Sequence, residues 1–354
     1  MTSNSPSSQG AVVHPSLIRG WPATLVVALV VVSVLYSFSP RVPPTFTPTQ
    51  LYPDRLIVNA VAQQGSRLVA AGEQGRILLA DDPAGPWREA KVTPQRGSTL
   101  TQAAFLGEGQ IIAVGHDSWI LRSTDNGETW SEARFNPEQS EPLMSIAGPF
   151  DGRLYAFGAF GRVLISADGG ASWEPQVIGA LGDKHVNAMV RLADGTLLFA
   201  GERGLIARST DGGASFTAVK EFYPGSFYGA LLLADGQVLV HGMRGHVFRS
   251  ADGGATWTRS SVPLTLSLFA GAVTADGRVL VAGASEVVFE STDNGATFHA
   301  VTPEERQAIA DLLPLPDGRV LAVGERGVQF KRPDPASAPK PAPAPDPAAK
   351  GDAS

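Results

Sequence analysis

Seven times along the chain a short, almost unbroken apolar run closes on a glycine: RLVAAG, QIIAVG, RLYAFG, TLLFAG, QVLVHG, RVLVAG and RVLAVG. The closing glycines Gly72, Gly115, Gly158, Gly201, Gly242, Gly283 and Gly324 are 43, 43, 43, 41, 41 and 41 residues apart. A strand that is apolar on successive residues has both faces buried, as between neighbouring sheets. Upstream of each run another strand opens on an apolar residue: Ile57, Leu100, Leu143, Val186, Phe227, Leu268 and Ile309. In five units an Asp-Gly pair separates the two strands, at 151, 194, 235, 276 and 317; a two-residue hairpin prefers this pair because both central residues take positive φ. Downstream follow a glycine-rich turn such as GERG and a third strand such as LIAR or HVFR. Such a unit is one four-stranded antiparallel blade. The pattern therefore predicts an all-β fold, a single seven-bladed β-propeller over residues 45–331.

The third strand is followed by the most specific signature in the chain: STDNGETW (123–130), SADGGASW (166–173), STDGGASF (209–216), SADGGATW (250–257) and STDNGATF (291–298). These segments resemble the Asp-box, or BNR, repeat. In it the carboxylate accepts backbone N–H bonds across a turn, glycine supplies a left-handed conformation and the aromatic ring packs back on the sheet. Asp125, Asp168, Asp211, Asp252 and Asp293 are therefore expected to build turns. A degenerate copy, ADDPAGPW, occupies 80–87, and in the seventh unit RPDP replaces the box. The last blade is then one strand short. A closed ring tolerates an open edge poorly, and residues 45–52, the one spare segment with apolar content, are expected to supply the strand, with Pro48 acceptable on an outer edge.

Outside the repeats, residues 17–38 (LIRGWPATLVVALVVVSVLYSF) carry no charge from Gly20 onward. As a helix, 22 residues would rise roughly 33 Å, enough to cross a bilayer core. Trp21 and Tyr36 fall near its ends and Pro22 in its first turn. The expected order is a short cytoplasmic N-terminus (1–16), a transmembrane anchor (17–38), a linker (39–44), the propeller (45–331) and a Pro/Ala-rich disordered tail (332–354). A cleaved signal peptide is the rival reading, with Ser37 and Ser39 as small cleavage-site residues and Pro40 disfavouring the cut. An N-in, C-out orientation puts the propeller in the periplasm, held at the inner membrane.

Composition narrows the function. The 354 residues are 43% hydrophobic and 18% charged, with net charge −6 and a pI near 5.6, which argues against a nucleic-acid partner. Cysteine is absent, excluding disulfides, thiolate metal sites and cysteine nucleophiles. Asp311 occupies a first-strand position held elsewhere by Asn59, Gln102, Ser145, Ala188, Gly229 and Ala270, and is expected to face the central channel. One acid without an evident partner does not make a hydrolase. His241 and His246 flank the glycine turn of blade five without a metal-ligand spacing. Arg203, Arg244 and Arg326 share one repeat position in the turns of blades four, five and seven, so they should ring the face opposite the Asp-boxes. Their rigid donor forks suit carboxylates of a partner.

On the five boxes and seven glycine turns, about 285 of 354 residues, the chain resembles the photosystem II assembly and stability factor propellers. That resemblance implies a non-enzymatic, monomeric scaffold, without cofactor or metal, that binds a membrane-protein partner outside the cytoplasm. Relatives in non-photosynthetic bacteria look like envelope accessory proteins, with large RND-type exporters among their partners. The degenerate first box and the proline-rich tail depart from the photosynthetic pattern. Asp-boxes also occur in sialidases and some glucanases, so a glycan-binding or glycan-hydrolysing protein is the alternative. A sialidase needs three arginines converging on the substrate carboxylate, a tyrosine nucleophile and an acid, and the usual early Arg-Ile-Pro signature is missing.

Overall fold

The computed structural model describes residues 21–39, 52–107, 109–302 and 307–331. The chain divides into two units, Met1–Gln50 and Leu51–Ser354. In the first, Trp21–Ser37 forms an α-helix of 17 residues with apolar side chains exposed on every side. At 1.5 Å per residue it rises about 25 Å. Among the described residues no helix is long and apolar enough to cross a membrane. Residues 17–20, which the expected anchor includes, lie outside the described set, as do the N-terminus, most of the linker and the tail.

Among the described residues the second unit is a ring of seven sheets, each running outward from the channel in sequence order. The blades span residues 58–89, 100–134, 143–175, 186–218, 227–259, 268–300 and 309–331. Blade two gains an extra strand, Lys91–Thr93, which pairs parallel to its outer edge. The last five residues of every second strand are buried, as their apolar runs require, while Arg67, Gln110 and Arg153, which open the second strands of blades one to three, are not. The core consists of clusters between neighbouring blades, and one of them closes the ring by packing Val58, Val61 and Leu68 of blade one on Leu315, Leu321 and Val323 of blade seven.

Two sequence expectations need correction. The first strand of blade one opens on Val58, which is 2% exposed and pairs with Gly72; Ile57 is 40% exposed. Blade one turns through two residues, Gln64 opposite Arg67, without the bulge that blades two and three carry beside the turn or the longer loops of blades four to seven, so every first-strand residue stands one position later than a fixed count predicts. In addition, only Asp151-Gly152 is a two-residue turn with both residues at positive φ. The other Asp-Gly pairs sit in three-residue loops. In blade four the Leu192 N–H donates to the Thr196 carbonyl, the Gly195 N–H donates back to Leu192, and Asp194 accepts the Thr196 N–H at 2.9 Å.

Blade seven has three strands among the described residues, and the expected closing strand lies outside them except for Tyr52. The entry of the chain into blade one is informative. At three blade-to-blade connections a carbonyl closes on the turn glycine of the preceding blade: a Cβ on Gly161, Gly204 or Gly245 would come within 2.3, 1.9 or 2.3 Å of the carbonyl of Gly182, Tyr223 or Leu264. Gly327 of blade seven meets Pro53 in the same way, at 1.7 Å. Residues 53–57 thus behave as the connection from blade seven to blade one.

Candidate partner-binding faces

The five Asp-boxes spend their carboxylates on their own turns. Asp252 accepts the amides of Ala255 and Thr256 at 3.1 and 2.8 Å and the Ser250 and Thr256 hydroxyls at 2.8 and 2.6 Å. The Thr256 hydroxyl and amide, then Ser250 and Ala255, hold its carboxyl down at about 2 against a smaller desolvation effect. Asp125, Asp168, Asp211 and Asp293 make the corresponding bonds. The ring nitrogens of Trp130, Trp173 and Trp257 donate to the carbonyls of Gly127, Gly170 and Gly254 of their own boxes.

The boxes also tie blades together, which their spacing does not reveal. Arg67, Arg122 and Arg249 donate to the carbonyls of Asn126, Gly169 and Asn294 in the box of the following blade, at 3.1, 2.9 and 3.4 Å. Asn294 bonds the Asp235 side chain in the hairpin of the preceding blade, so boxes and Asp-Gly hairpins share one face. The turns between second and third strands share the other face with the connections, as expected from alternating strand direction.

On that second face Arg203, Arg244 and Arg326 are all exposed, but their surroundings differ. Arg203 pairs with Asp183 at 2.9 Å and Glu202 at 3.7 Å. Arg326 stands 3.9 Å from Glu286, a carboxylate 3% exposed that Lys331 holds at 2.8 Å. Arg244 has no carboxylate within ion-pair range among the described residues. Its amide approaches Ser267, and its turn sits over the Tyr223 hydroxyl, which donates to the Met243 carbonyl at 3.1 Å.

The central channel is a cavity of about 300 Å³. It is lined by Asp311 with Gln102, Ser145, Ala188, Gly229 and Ala270, as expected, but the blade-one equivalent is Ala60; Asn59 belongs one position earlier with Thr101 and Asn187. These three form joints between blades: Asn59, Thr101 and Asn187 donate to the carbonyls of Leu100, Leu143 and Phe227 in the next blade at 2.8, 2.7 and 2.7 Å. In blade five the joint is His241, whose Nδ1–H donates to Leu268 at 3.0 Å from the space left by Gly229 and Gly271. Burial pushes this imidazole down to about 4. His246 instead stacks on Tyr223, with ring centroids 4.6 Å apart.

Asp311 closes the ring. Its Oδ2 accepts the Val61 N–H of blade one at 3.0 Å and its Oδ1 accepts its neighbour Leu312 at 2.8 Å. Burial pushes the carboxyl up to about 6, with the two amides pulling it back. Tyr228 lines the same channel, but no arginine lines it among the described residues. Nor do three His, Asp or Glu residues come together there or elsewhere in the described set to hold a metal ion.

Comparison with known proteins gives three results. Residues 121–132 match the BNR/Asp-box repeat. No curated protein sequence matches the chain. Among solved structures, YCF48 bound to a D1 peptide superposes with a TM-score of 0.65 at 16% identity, covering 80% of this chain and 95% of that one. YCF48 from Cyanidioschyzon merolae gives 0.64 at 16%, covering 80% and 97%. An inactive H270A virginiamycin B lyase from Staphylococcus aureus, with quinupristin, gives 0.65 at 14%, covering 79% and 96%. The shared property is the fold, which hosts binding proteins and a lyase alike.

Proposed function

We propose that the chain is a membrane-anchored, extracytoplasmic propeller that binds and stabilises a membrane-protein partner and carries out no chemistry of its own. The observation that carries this is where its repeated functional groups go. The box carboxylates build turns, and the polar channel residues join blades. The surfaces left for contact are the two broad ring faces. A propeller of the same fold is known bound to a D1 peptide. The uncharged segment from Gly20 to Phe38 supports the anchor, and the family resemblance nominates a large RND-type exporter as partner. On this reading the propeller acts as a monomer and needs no cofactor.

The test is affinity purification of the full-length chain from detergent-solubilised membranes, followed by mass spectrometry. A membrane protein should co-purify in near-stoichiometric amount. Recovery of the chain alone, or turnover of a glycan by the purified chain, would overturn the reading.

A further inference from the structure

Each of the five complete boxes lies over the preceding blade. The left-handed glycine at its fifth position, Gly127, Gly170, Gly213, Gly254 or Gly295, faces the residue three before the glycine that closes that blade's apolar run. A Cβ there would stand 3.5 Å from Val69, 2.5 Å from Ile112, 2.6 Å from the Tyr155 hydroxyl, 2.4 Å from Leu198 and 2.5 Å from Leu239, with Leu79 of the third strand nearer still, at 3.0 Å, in the first case. At the first, second and fifth of these junctions a guanidinium of the preceding blade also holds a box carbonyl.

The next residue in this series is Leu280 of blade six. No box can cover it in the same way, because the residues following the third strand of blade seven read RPDPASAP and contain no glycine. A cavity of about 190 Å³ lies there, with Leu280, Leu315 and Val320 lining it and Arg278 and Arg319 in its wall. Arg278 stands at the repeat position of Arg67, the residue that grips the box of blade two. At the position of Arg122 and Arg249 stands Glu290, whose buried carboxylate binds Arg278 at Nη1, while Asp276 at the rim accepts its Nε–H at 2.9 Å; Nη2 is left without a hydrogen-bond partner among the described residues. Among the described residues the junction thus keeps the apolar floor and one guanidinium and lacks the turn that covers its counterparts. The junction between blades seven and one differs: Gly85 of the degenerate box meets only Asp82 of its own turn, and Trp87 packs into the apolar cluster that closes the ring.

The geometry points to this socket as a docking site for a tight glycine turn presented by a partner polypeptide, seated as the other five sockets seat the box of the next blade. The left-handed glycine would rest on the floor and its carbonyls would face Arg278. This rests on the protein-binding reading above and locates its contact on the Asp-box face.

The probe is the fluorescein-labelled octapeptide SADGGATW, the blade-five box of this chain, with SADAAATW as its partner. Anisotropy titration into the full-length protein in detergent should show at least tenfold tighter binding of the glycine peptide. Ala275→Trp, at the exposed rim of the socket, and Arg278→Gln should each weaken that binding at least tenfold, with melting curves reporting the fold. Arg203→Glu with Arg326→Glu, on the opposite face, should leave it unchanged. Equal affinity for the two peptides, or undiminished binding by both socket variants, overturns the proposal. Binding that appears only when the chain is truncated after Lys331 also overturns it, since the chain's own tail would then be the occupant. Loss of peptide binding with membrane-protein capture intact removes the socket and leaves the protein-binding reading standing.

Discussion

Replacing Asp311 with asparagine should abolish a specific pH dependence of stability. The carboxylate bridges blades seven and one through the Val61 amide, and no cation lines the channel beside it among the described residues. Burial raises the carboxyl from 3.8 to about 6, with the Val61 and Leu312 amides opposing. The folded state therefore holds this proton more tightly than the unfolded chain, and between roughly pH 4 and 6 stability must fall as pH rises. Two units correspond to about 3 kcal/mol, and channel water reduces the effect to about 2 kcal/mol. The contribution is fully present below pH 4 and lost as pH passes 6. Urea unfolding of wild type and Asp311→Asn at half-unit steps from pH 4.5 to 7.5 isolates it, because every other carboxylate cancels in the difference. Wild type should lose about 2 kcal/mol relative to the variant across the window and run parallel to it above pH 7. A difference that stays constant throughout would refute the assignment of a desolvated acid at the ring joint.

Other outcomes follow from the same geometry. Asp252→Ala should cost about 1 kcal/mol at pH 7 after solvent screening, a deficit that shrinks as pH falls from 4 toward 2, because the lowered carboxyl stabilises only while ionised; denaturant titrations at pH 7 and 2.5 measure it. Gly254→Ala adds a 2.4 Å clash with Leu198 to backbone strain at φ +83° and should cost about 3 kcal/mol. Gly277→Ala, at a similar φ but with its nearest neighbour Ala234 at an ordinary 3.6 Å, should cost about 1 kcal/mol, and equal melting temperatures for the two would contradict the packing argument. Deleting residues 45–52 should lower the melting temperature by many degrees, while deleting residues 333–354 should leave it within a degree or two, since only the first removes candidate paired strand. Fractionation of cells expressing the full-length chain should find it in the membrane pellet; a soluble form beginning near Pro40 would show that the N-terminal segment is cleaved.

The blade count was legible because a closed ring of repeats places the same packing demand at the same chain interval. The glycine ending each second strand recurs because the first-strand backbone passes too close for any side chain: a Cβ on Gly115 would lie 2.1 Å from the Thr99 carbonyl. What counting misses is local. Blade one lacks the bulge or longer loop that gives every other first hairpin one more residue, so stepping back a fixed distance from Gly72 lands on Ile57 and misassigns Asn59 to the channel position of Asp311. The Asp-Gly pairs fall in the right places but mostly in longer loops, because the dipeptide serves a three-residue hairpin as well, with aspartate capping an amide and glycine alone at positive φ.

The candidate site was less legible because charge neutralisation depends on neighbours remote in sequence. Arg203 finds Asp183 in the preceding connection and Arg326 finds Glu286 in the preceding blade, so an arginine row that looks uniform along the chain is uneven in space. The same holds for His241, whose role depends on two missing side chains, at Gly229 and Gly271, on two different blades. Periodicity exposes a different kind of feature, the place where a repeat stops. Five boxes cover five floors, and the sixth floor, Leu280, is followed by a blade whose sequence cannot make a box. Glu290 stands at that same junction, so the carboxylate that binds Arg278 appears only where no internal box carbonyl needs a guanidinium. The third-strand position is arginine in blades two, four and five but Leu79 and Ile165 in blades one and three, whose floors are also covered by boxes, so what sets the blade-six junction apart is the carboxylate of Glu290 itself, placed where it binds the second-strand guanidinium.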